Sequence, residues 1–464
     1  MSKLRPHPYM LKCFEGAGQG HVFDRFDSLE PKRQAAFLAQ LDALHLSELA
    51  ELISLLDAPA GVKGEIAPLD PLVPSASERE AFAQAGWEAL EAGRVAVFVV
   101  AGGQGTRLGW PGPKGTYPVG PLTQKTLFQL FAEQVLAIGE RAGRALDLYV
   151  LTSELNRGET EAFFEEHARF GLKEDQLHYL VQANLPNVTL EGRLCLSGPG
   201  ELATSPNGHG GALLALRDGG ALRRMAERGQ DLLFYWQVDN PLCAIADPVL
   251  IGAHLGAGAE GSTKIVEKTD PEERVGLVAL RDGKPGVVEY SEMTPEQQRE
   301  RAPSGGLAYR AGNIAVHLFG REFLERVSAP TFELGYHLAR KKVAILNAGG
   351  ALEEPSEPNV VKFERFVFDV LPHAKNHVTL QVERAEEFEP LKNAEGSYSP
   401  ATVKAAISAR AQAWIERAGY TVPRGPSGDP VLCEVSPLTA LDPAQLRERL
   451  GDQLPEPGAE GLSL

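Results

Sequence analysis

From Val95 onward, short apolar runs alternate with stretches of helical periodicity, and this alternation constrains the chain more than any other feature. "VAVFVV" comes first, "LDLYVLTS" follows a helical pattern near Thr126 to Arg144, and "DLLFYWQVDN" precedes another near Pro248. "STKIVEK", "VGLVAL" and "GVVEY" read as further strands. Strands buried on both faces read as near-continuous apolar runs, and parallel strands need crossovers, usually helical, between them. The pattern predicts an α/β core on a mixed, mostly parallel sheet, with ligands beyond the C-terminal ends of its strands.

A chain of 464 residues is long enough for more than one domain. Residues 1–90 read as a mostly helical region. Apolar residues recur at helical spacing from about 22 to 57, a Pro-rich linker "DAPAGVKGEIAPLDPLVPSAS" follows, and a further helix runs from about Glu78 to Glu91. Residues 91–380 form the predicted catalytic core, strand-rich to about Gln381. Residues 381–464 are a small C-terminal domain with a helix in "SPATVKAAISARAQAWIERAGY" and a polar tail. No internal repeat is visible.

With 62 acidic residues against 46 Lys and Arg, the formal net charge is −16. That disfavours broad attraction to nucleic acid or an anionic membrane, so an anionic ligand has to be met by local cations. The opening "MSKLRPHPYMLKCFEGAGQG" lacks an apolar signal region, and no run of about 18 apolar residues occurs, so a cytoplasmic protein is expected. Cys13, Cys195, Cys243 and Cys433 show neither C-x-x-C spacing nor histidines at zinc-ligand intervals, and are expected to be ordinary thiols.

The stretch "VAVFVVAGGQGTRLGWPGPKGTYPVG", Val95 to Gly120, sets a glycine-studded loop behind an apolar run. It is not a dinucleotide fingerprint, because the G-x-G-x-x-G spacing from Gly103 falls on Leu108. Nor is it a Walker loop, because Lys114 precedes glycine in place of Ser or Thr. At the chain's average frequency the 38 residues from Val95 to Ala132 should hold about five acids, and they hold none. Arg107, Lys114 and Lys125 therefore stand in an acid-free window, which suggests a phosphate-facing surface. Ala101, Gly102, Gly103 and Gly105 form a strand-to-loop cradle in which backbone N–H groups can approach an anion.

"AGGQGTRLGWPGPKG" resembles the G-x-G-T-R and Pro-Lys signature of nucleotide-sugar pyrophosphorylases. "QVDNPLCAIADPVLIG", "TKIVEKTDPEERVGLV", "VVEYSEM", "AGNIAVHLF", "FERFVFDVLPHAK", "EEFEPLKNAEG" and "CEVSPL" follow in the order found in eukaryotic-type UDP-N-acetylglucosamine pyrophosphorylases. Those belong with UDP-glucose and broad-specificity UDP-sugar pyrophosphorylases in one larger family. The resemblance runs from the N-terminal helices to about Leu438.

The resemblance implies a Rossmann-like nucleotidyltransferase core that makes a UDP-sugar and pyrophosphate from UTP and a sugar 1-phosphate, most closely N-acetylglucosamine 1-phosphate. It implies catalytic roles for Arg107, Lys114 and Lys362, and a sugar- or phosphate-side role for Lys392. Gln182 and Gly208 would read the uracil, while His209, Glu289 and Asn313 would meet the sugar. Asp239, at the end of "LLFYWQV", would hold Mg²⁺, with Mn²⁺ able to substitute. His209 departs from the asparagine typical of the N-acetylglucosamine branch and brings "GHGG" closer to the G-H-G of glucose-type relatives. A glucose-1-phosphate or broad-specificity uridylyltransferase is therefore the alternative. A guanylyl- or adenylyltransferase, or a non-catalytic nucleotide-sugar sensor, would share the glycine loop. Oligomeric state, regulation and pathway are not read from the sequence.

Overall fold

The computed structural model describes residues 4–57, 64–347 and 349–464, so part of the Pro-rich linker lies outside the described residues. The chain divides into two units. One contains residues 1–63, 183–211 and 333–369, and the other contains 64–182, 212–332 and 370–464. This differs from boundaries at 90 and 380, and packing gives the reason.

In the first unit the N-terminal helices α1 (Pro8–Gly16), α2 (Pro31–Asp42) and α3 (Leu46–Ser54) do not stand alone. Phe14, Phe37, Leu41, Leu49 and Leu52 share one apolar cluster with Leu185, Val188, Leu194, Leu202, Val361 and Phe363. An amphipathic helix has to bury its apolar stripe somewhere, and here the partner comes from segments over a hundred residues later. Val188–Thr189, Val360–Glu364 and His337–Lys341 form a three-stranded antiparallel sheet in this unit.

The second unit is built on a ten-stranded sheet. Its strands are β1 (Ile66–Ala67), β2 (Val95–Val100), β3 (Leu148–Ser153), β4 (Leu177–Gln182) and β5 (Leu232–Gln237). β6 (Gly261–Glu267), β7 (Leu277–Arg281), β8 (Lys284–Val288), β9 (Ala311–Gly320) and β10 (His377–Val382) complete it. β5, β2, β3 and β4 lie side by side and parallel, as do β6 and β10, while β9 runs antiparallel to both β5 and β6. The α/β core with a mixed sheet is as the alternation predicted. α4 (Ala76–Glu91), α5 (Leu127–Arg141) and α6 (Pro248–Gly256) follow the helical patterns read in the sequence.

The order β5-β2-β3-β4 fixes where a ligand can sit. The chain steps outward from β2 to β3 and β4, then returns to the other side of β2 as β5. The strand order thus reverses between β2 and β5, and in such sheets a crevice opens at the carboxyl ends of that pair.

The C-terminal residues depart from the expected polar tail. Helix α7 (Pro400–Arg417) is followed by a short helix, Pro443–Leu450, and Leu462–Ser463 pairs in parallel with Cys433–Glu434. Leu462 and Leu446 are buried with Ile415, Val422, Cys433 and Ala440. A few well-spaced apolar residues close this small core although the intervening sequence is polar.

Candidate active site

The glycine loop leaves β2 at the crevice and is folded back on itself. The Gly105 N–H donates to the Gly112 carbonyl (3.0 Å), the Lys114 N–H donates to the Gly103 carbonyl (3.1 Å), and Gln104 and Pro113 form an isolated bridge. The glycines serve different ends. A Cβ at Gly105 would lie 2.6 Å from Trp110 Cβ, and one at Gly102 would press on Ser153 and on the Gln182 amide at 3.3 Å. A Cβ at Gly103 would meet nothing within 4 Å, so this residue borders open space. Ala101 holds the loop and does not offer a donor: its N–H is spent on the Leu151 carbonyl, and its own carbonyl accepts from Asn156 Nδ2 (3.0 Å).

Lys114 begins a short 3₁₀ turn, and its Nζ donates to the Leu391 carbonyl at 3.2 Å. Burial pushes its ammonium below the ordinary lysine range. Asp239 opposes that shift, and Lys392 and Arg107 add to it. Those four charged groups therefore share one electrostatic neighbourhood, although they come from segments spread over nearly three hundred residues. Asp239 follows β5 at its C-terminal end, and its carbonyl accepts from the Leu391 N–H at 2.7 Å. Arg107 and Lys392 are exposed. Gln182, buried at the end of β4, lies over Gly102, which puts an amide edge beside the glycine loop.

Lys125 is corrected by the structure. Its Nζ pairs with Glu133 Oε2 at 2.7 Å and bonds Ser436 Oγ at 2.9 Å, so it braces the fold and does not face phosphate. The acid-free window ends one residue before the acid that neutralises it.

Glu289 and Asn313 meet around Gly276. A Cβ on Gly276 would touch Glu289 Oε1 at 3.3 Å, and the Gly276 carbonyl accepts from the Asn313 N–H at 2.8 Å. Asn313 Oδ1 accepts from the Ala315 N–H, across a bulge in the β6–β9 pairing where Ala315 has φ +55°. Both side chains are partly buried on one side of the sheet's end.

Gly208, His209 and Lys362 belong to the first unit. Gly208, at φ +76°, lies so close to the Arg365 backbone that a Cβ would come within 2.3 Å of its carbonyl oxygen. His209 stacks on Phe366 (centroids 5.1 Å apart, planes 15°) and leans on Phe368, while its Nδ1 accepts from the Val367 N–H at 3.1 Å. Burial lowers its pKa to about 4, so the ring is neutral and carries its proton on Nε2. Lys362 sits on strand Val360–Glu364, between Val361 and Phe363, whose side chains face the apolar cluster.

Three partners escaped the sequence reading. Leu391 acts through its backbone, which no residue identity reveals. Asn240 stood inside the quoted "VDN" beside the aspartate. Lys264 is a fully buried lysine inside the apolar strand "STKIVEK", which was a visible signal.

A glycine loop, a buried amide and an aspartate set around cations at the reversal point of a parallel sheet define a nucleotide-binding α/β enzyme of the nucleotidyltransferase class. The chain belongs to the UTP--glucose-1-phosphate uridylyltransferase family, whose model matches residues 67–421, and it is a uridylyltransferase of the UDP-sugar pyrophosphorylase type. It is 41% identical to a "UDP-N-acetylhexosamine pyrophosphorylase-like protein 1" of Homo sapiens, covering 91% of each chain. It is 36% identical to the UDP-N-acetylglucosamine pyrophosphorylase of Saccharomyces cerevisiae, over 92% of this chain and 93% of that one. The solved uridine diphosphate N-acetylglucosamine pyrophosphorylase of Trypanosoma brucei superposes with a TM-score of 0.80 at 26% identity, covering 97% and 96% of the two chains. No helix among the described residues is long and apolar enough to cross a membrane.

Proposed function

We propose that the chain joins UTP to N-acetylglucosamine 1-phosphate, giving UDP-N-acetylglucosamine and pyrophosphate. A phosphate oxygen of the sugar 1-phosphate attacks the α-phosphorus of UTP, and the bond to the bridging oxygen breaks with its electron pair leaving on pyrophosphate. The nucleophile is already anionic, so the protein's work is to position the reactants and to stabilise charge spreading over phosphate oxygens. The convergence of Lys114, Asp239, Lys392 and Arg107 at the β2–β5 crevice is the observation that carries this reading.

In this proposal Gly103 admits the triphosphate, Lys114 and Arg107 balance its charge, and Gln182 and Gly208 read the uracil. Lys362 and Lys392 meet phosphate oxygens, and His209, Glu289 and Asn313 contact the sugar. Asp239 fits Mg²⁺: a single hard carboxylate suits an ion that brings its remaining oxygens from phosphates and water, and Mn²⁺ accepts the same donors. When bound, that ion neutralises and orients the phosphates. The relatives' names favour an N-acetylated sugar. His209 in place of asparagine favours the second reading, glucose 1-phosphate or broad use of hexose phosphates. A cytoplasmic location is supported by four cysteines that are all free thiols.

The test is pyrophosphate release with UTP, ATP or GTP against N-acetylglucosamine, glucose and galactose 1-phosphates, with and without EDTA. UTP with the N-acetylated sugar should be fastest, and EDTA should stop turnover until Mg²⁺ is restored. Turnover of glucose 1-phosphate alone would replace the sugar assignment, and metal-independent turnover would remove the role of Asp239.

A further inference from the structure

One seam of backbone and amide contacts joins the groups gathered at the crevice. Asn240 is 2% exposed. Its Nδ2 donates to the Glu387 carbonyl at 2.7 Å, and its Oδ1 accepts from the Glu389 N–H at 3.3 Å. The same strap, residues 387–392, then gives its Leu391 N–H to the Asp239 carbonyl and takes Lys114 Nζ on the Leu391 carbonyl. Lys392 is the next residue. The turn carrying Asp239 and the segment carrying Lys392 are thus held in register by both ends of one side-chain amide, with Lys114 hung on the same segment.

The strap is anchored from behind. Lys264 on β6, with a fully buried side chain, lies 2.8 Å from Asp247 Oδ2 and also pairs with Glu387 Oε2. Asp247 caps α6 through the Val249 N–H. Burial alone would depress the Lys264 ammonium, but Asp247 and Glu387 outweigh it and hold it above the ordinary lysine range. On the far side, the Tyr398 carbonyl accepts from the N–H groups of both Lys392 and Asn393 (2.7 and 3.0 Å).

We propose that Asn240 is a positioning residue for nucleotidyl transfer, setting the separation between the Asp239 carboxylate and the Lys114 and Lys392 ammonium groups. The proposal rests on the reading of Asp239 as the metal-holding carboxylate. A nucleotide triphosphate with its Mg²⁺ has to touch the aspartate and the lysines at once. A shift of the turn against the strap leaves each group present but misplaced. Outer groups that orient a metal-binding carboxylate commonly govern 10- to 100-fold of affinity or activity.

The experiment compares Asn240→Asp, Asn240→Ser and Asn240→Ala with wild type and with Asp239→Asn, each checked by circular dichroism and assayed well below its melting midpoint. UTP binding is measured by calorimetry in EDTA and again with Mg²⁺, alongside kcat and KM. In the folded Asn240 variants, kcat should fall on the order of 10- to 100-fold, and the tightening of UTP binding by Mg²⁺ should shrink. UTP affinity in EDTA should fall by much less than the Mg²⁺-dependent tightening, because the glycine cradle and Gln182 are untouched and only the Lys114 and Lys392 contacts shift. Asn240→Asp keeps an acceptor for the Glu389 N–H but sets a buried carboxylate oxygen against the Glu387 carbonyl, so it should lose at least as much activity as Asn240→Ala. A purely structural role would lower the melting midpoint and leave the Mg²⁺ tightening intact. That outcome, or wild-type kcat in a folded Asn240→Ala, overturns the proposal. If Asp239→Asn itself keeps the Mg²⁺ tightening, or if wild type does not bind UTP, the underlying reading fails and takes this one with it. If Asp239→Asn loses the tightening while the Asn240 variants keep it, positioning alone is refuted.

Discussion

Lys114 combines a buried stem, an ammonium anchored to a backbone carbonyl and an acid across the crevice. Preorganised charge of this kind is spent where phosphate charge develops. Lys114→Ala should therefore lower kcat/KM by on the order of 10² or more with the fold intact, as checked by circular dichroism. Near-normal turnover would remove Lys114 from the chemistry. His209 makes a different kind of case. With Nδ1 committed to Val367 and the ring stacked on Phe366, only the Nε2 edge is left to face a sugar. His209→Asn should raise the preference for N-acetylglucosamine 1-phosphate over glucose 1-phosphate by roughly tenfold, the scale on which one shape-determining contact discriminates. The ratio of kcat/KM values at saturating UTP measures it, and an unchanged ratio would leave His209 with only its stacking role.

At the scale of the element, the glycine loop separates two reasons for having no side chain. Gly103→Ala meets open space, so the melting midpoint should stay near wild type while UTP affinity falls, because the new methyl group stands where a phosphate would approach. Gly105→Ala collides with Trp110 and should instead lower the midpoint. A Gly103→Ala variant with unchanged UTP affinity would show that the loop does not face the ligand. Lys125→Met should behave like Gly105→Ala and lower the midpoint in denaturant melts: it leaves the nearly buried Glu133 carboxylate without its cation, held only by Gln129 and Ser436. The loop's position after an apolar strand was legible from Val95–Val100 and its glycines, and so were Arg107, Lys114 and Asp239. The pairing of Lys125 was not, because charge counted within a window ignores an acid on the next turn of α5. The strap 387–392 was illegible for a related reason: its contribution at Leu391 is backbone, and backbone has no letter.

Across the whole molecule, alternation of apolar runs marked the sheet, but its strand order, and hence the crevice, comes from pairings between distant segments. The division into units was hidden for the same reason. Helices α1 to α3 carry a clear apolar stripe, yet nothing in the stripe names Val361 or Phe363 as its partner. Buried histidines add a global property. Burial lowers His254, His377 and His209 to about 4, whereas an unfolded histidine titrates near 6.5. Between those values the unfolded chain binds more protons, so stability is full above about pH 6.5 and falls as pH drops toward 4, by up to about 3 kcal/mol per histidine. Denaturant melts from pH 7 to 4.5 should show this slope. His254→Gln should flatten it, and an identical slope in that variant would reject the assignment.

The anchoring of Lys114 on Leu391 also has a bearing on synthesis. The Glu434 carboxylate takes the N–H groups of Leu122 and Thr123, and the Cys433–Glu434 strand is itself paired by Leu462–Ser463. A ribosome working at about 5–20 residues per second releases Lys114 long before Leu391 exists to hold it, and Leu122 long before Glu434 does. The nascent chain can collapse its apolar strands early, but its nucleotide loop stays unbraced for on the order of tens of seconds. The Lys114 side chain therefore reaches its final anchorage only after the strap 387–392 has been made, later than the strands around it.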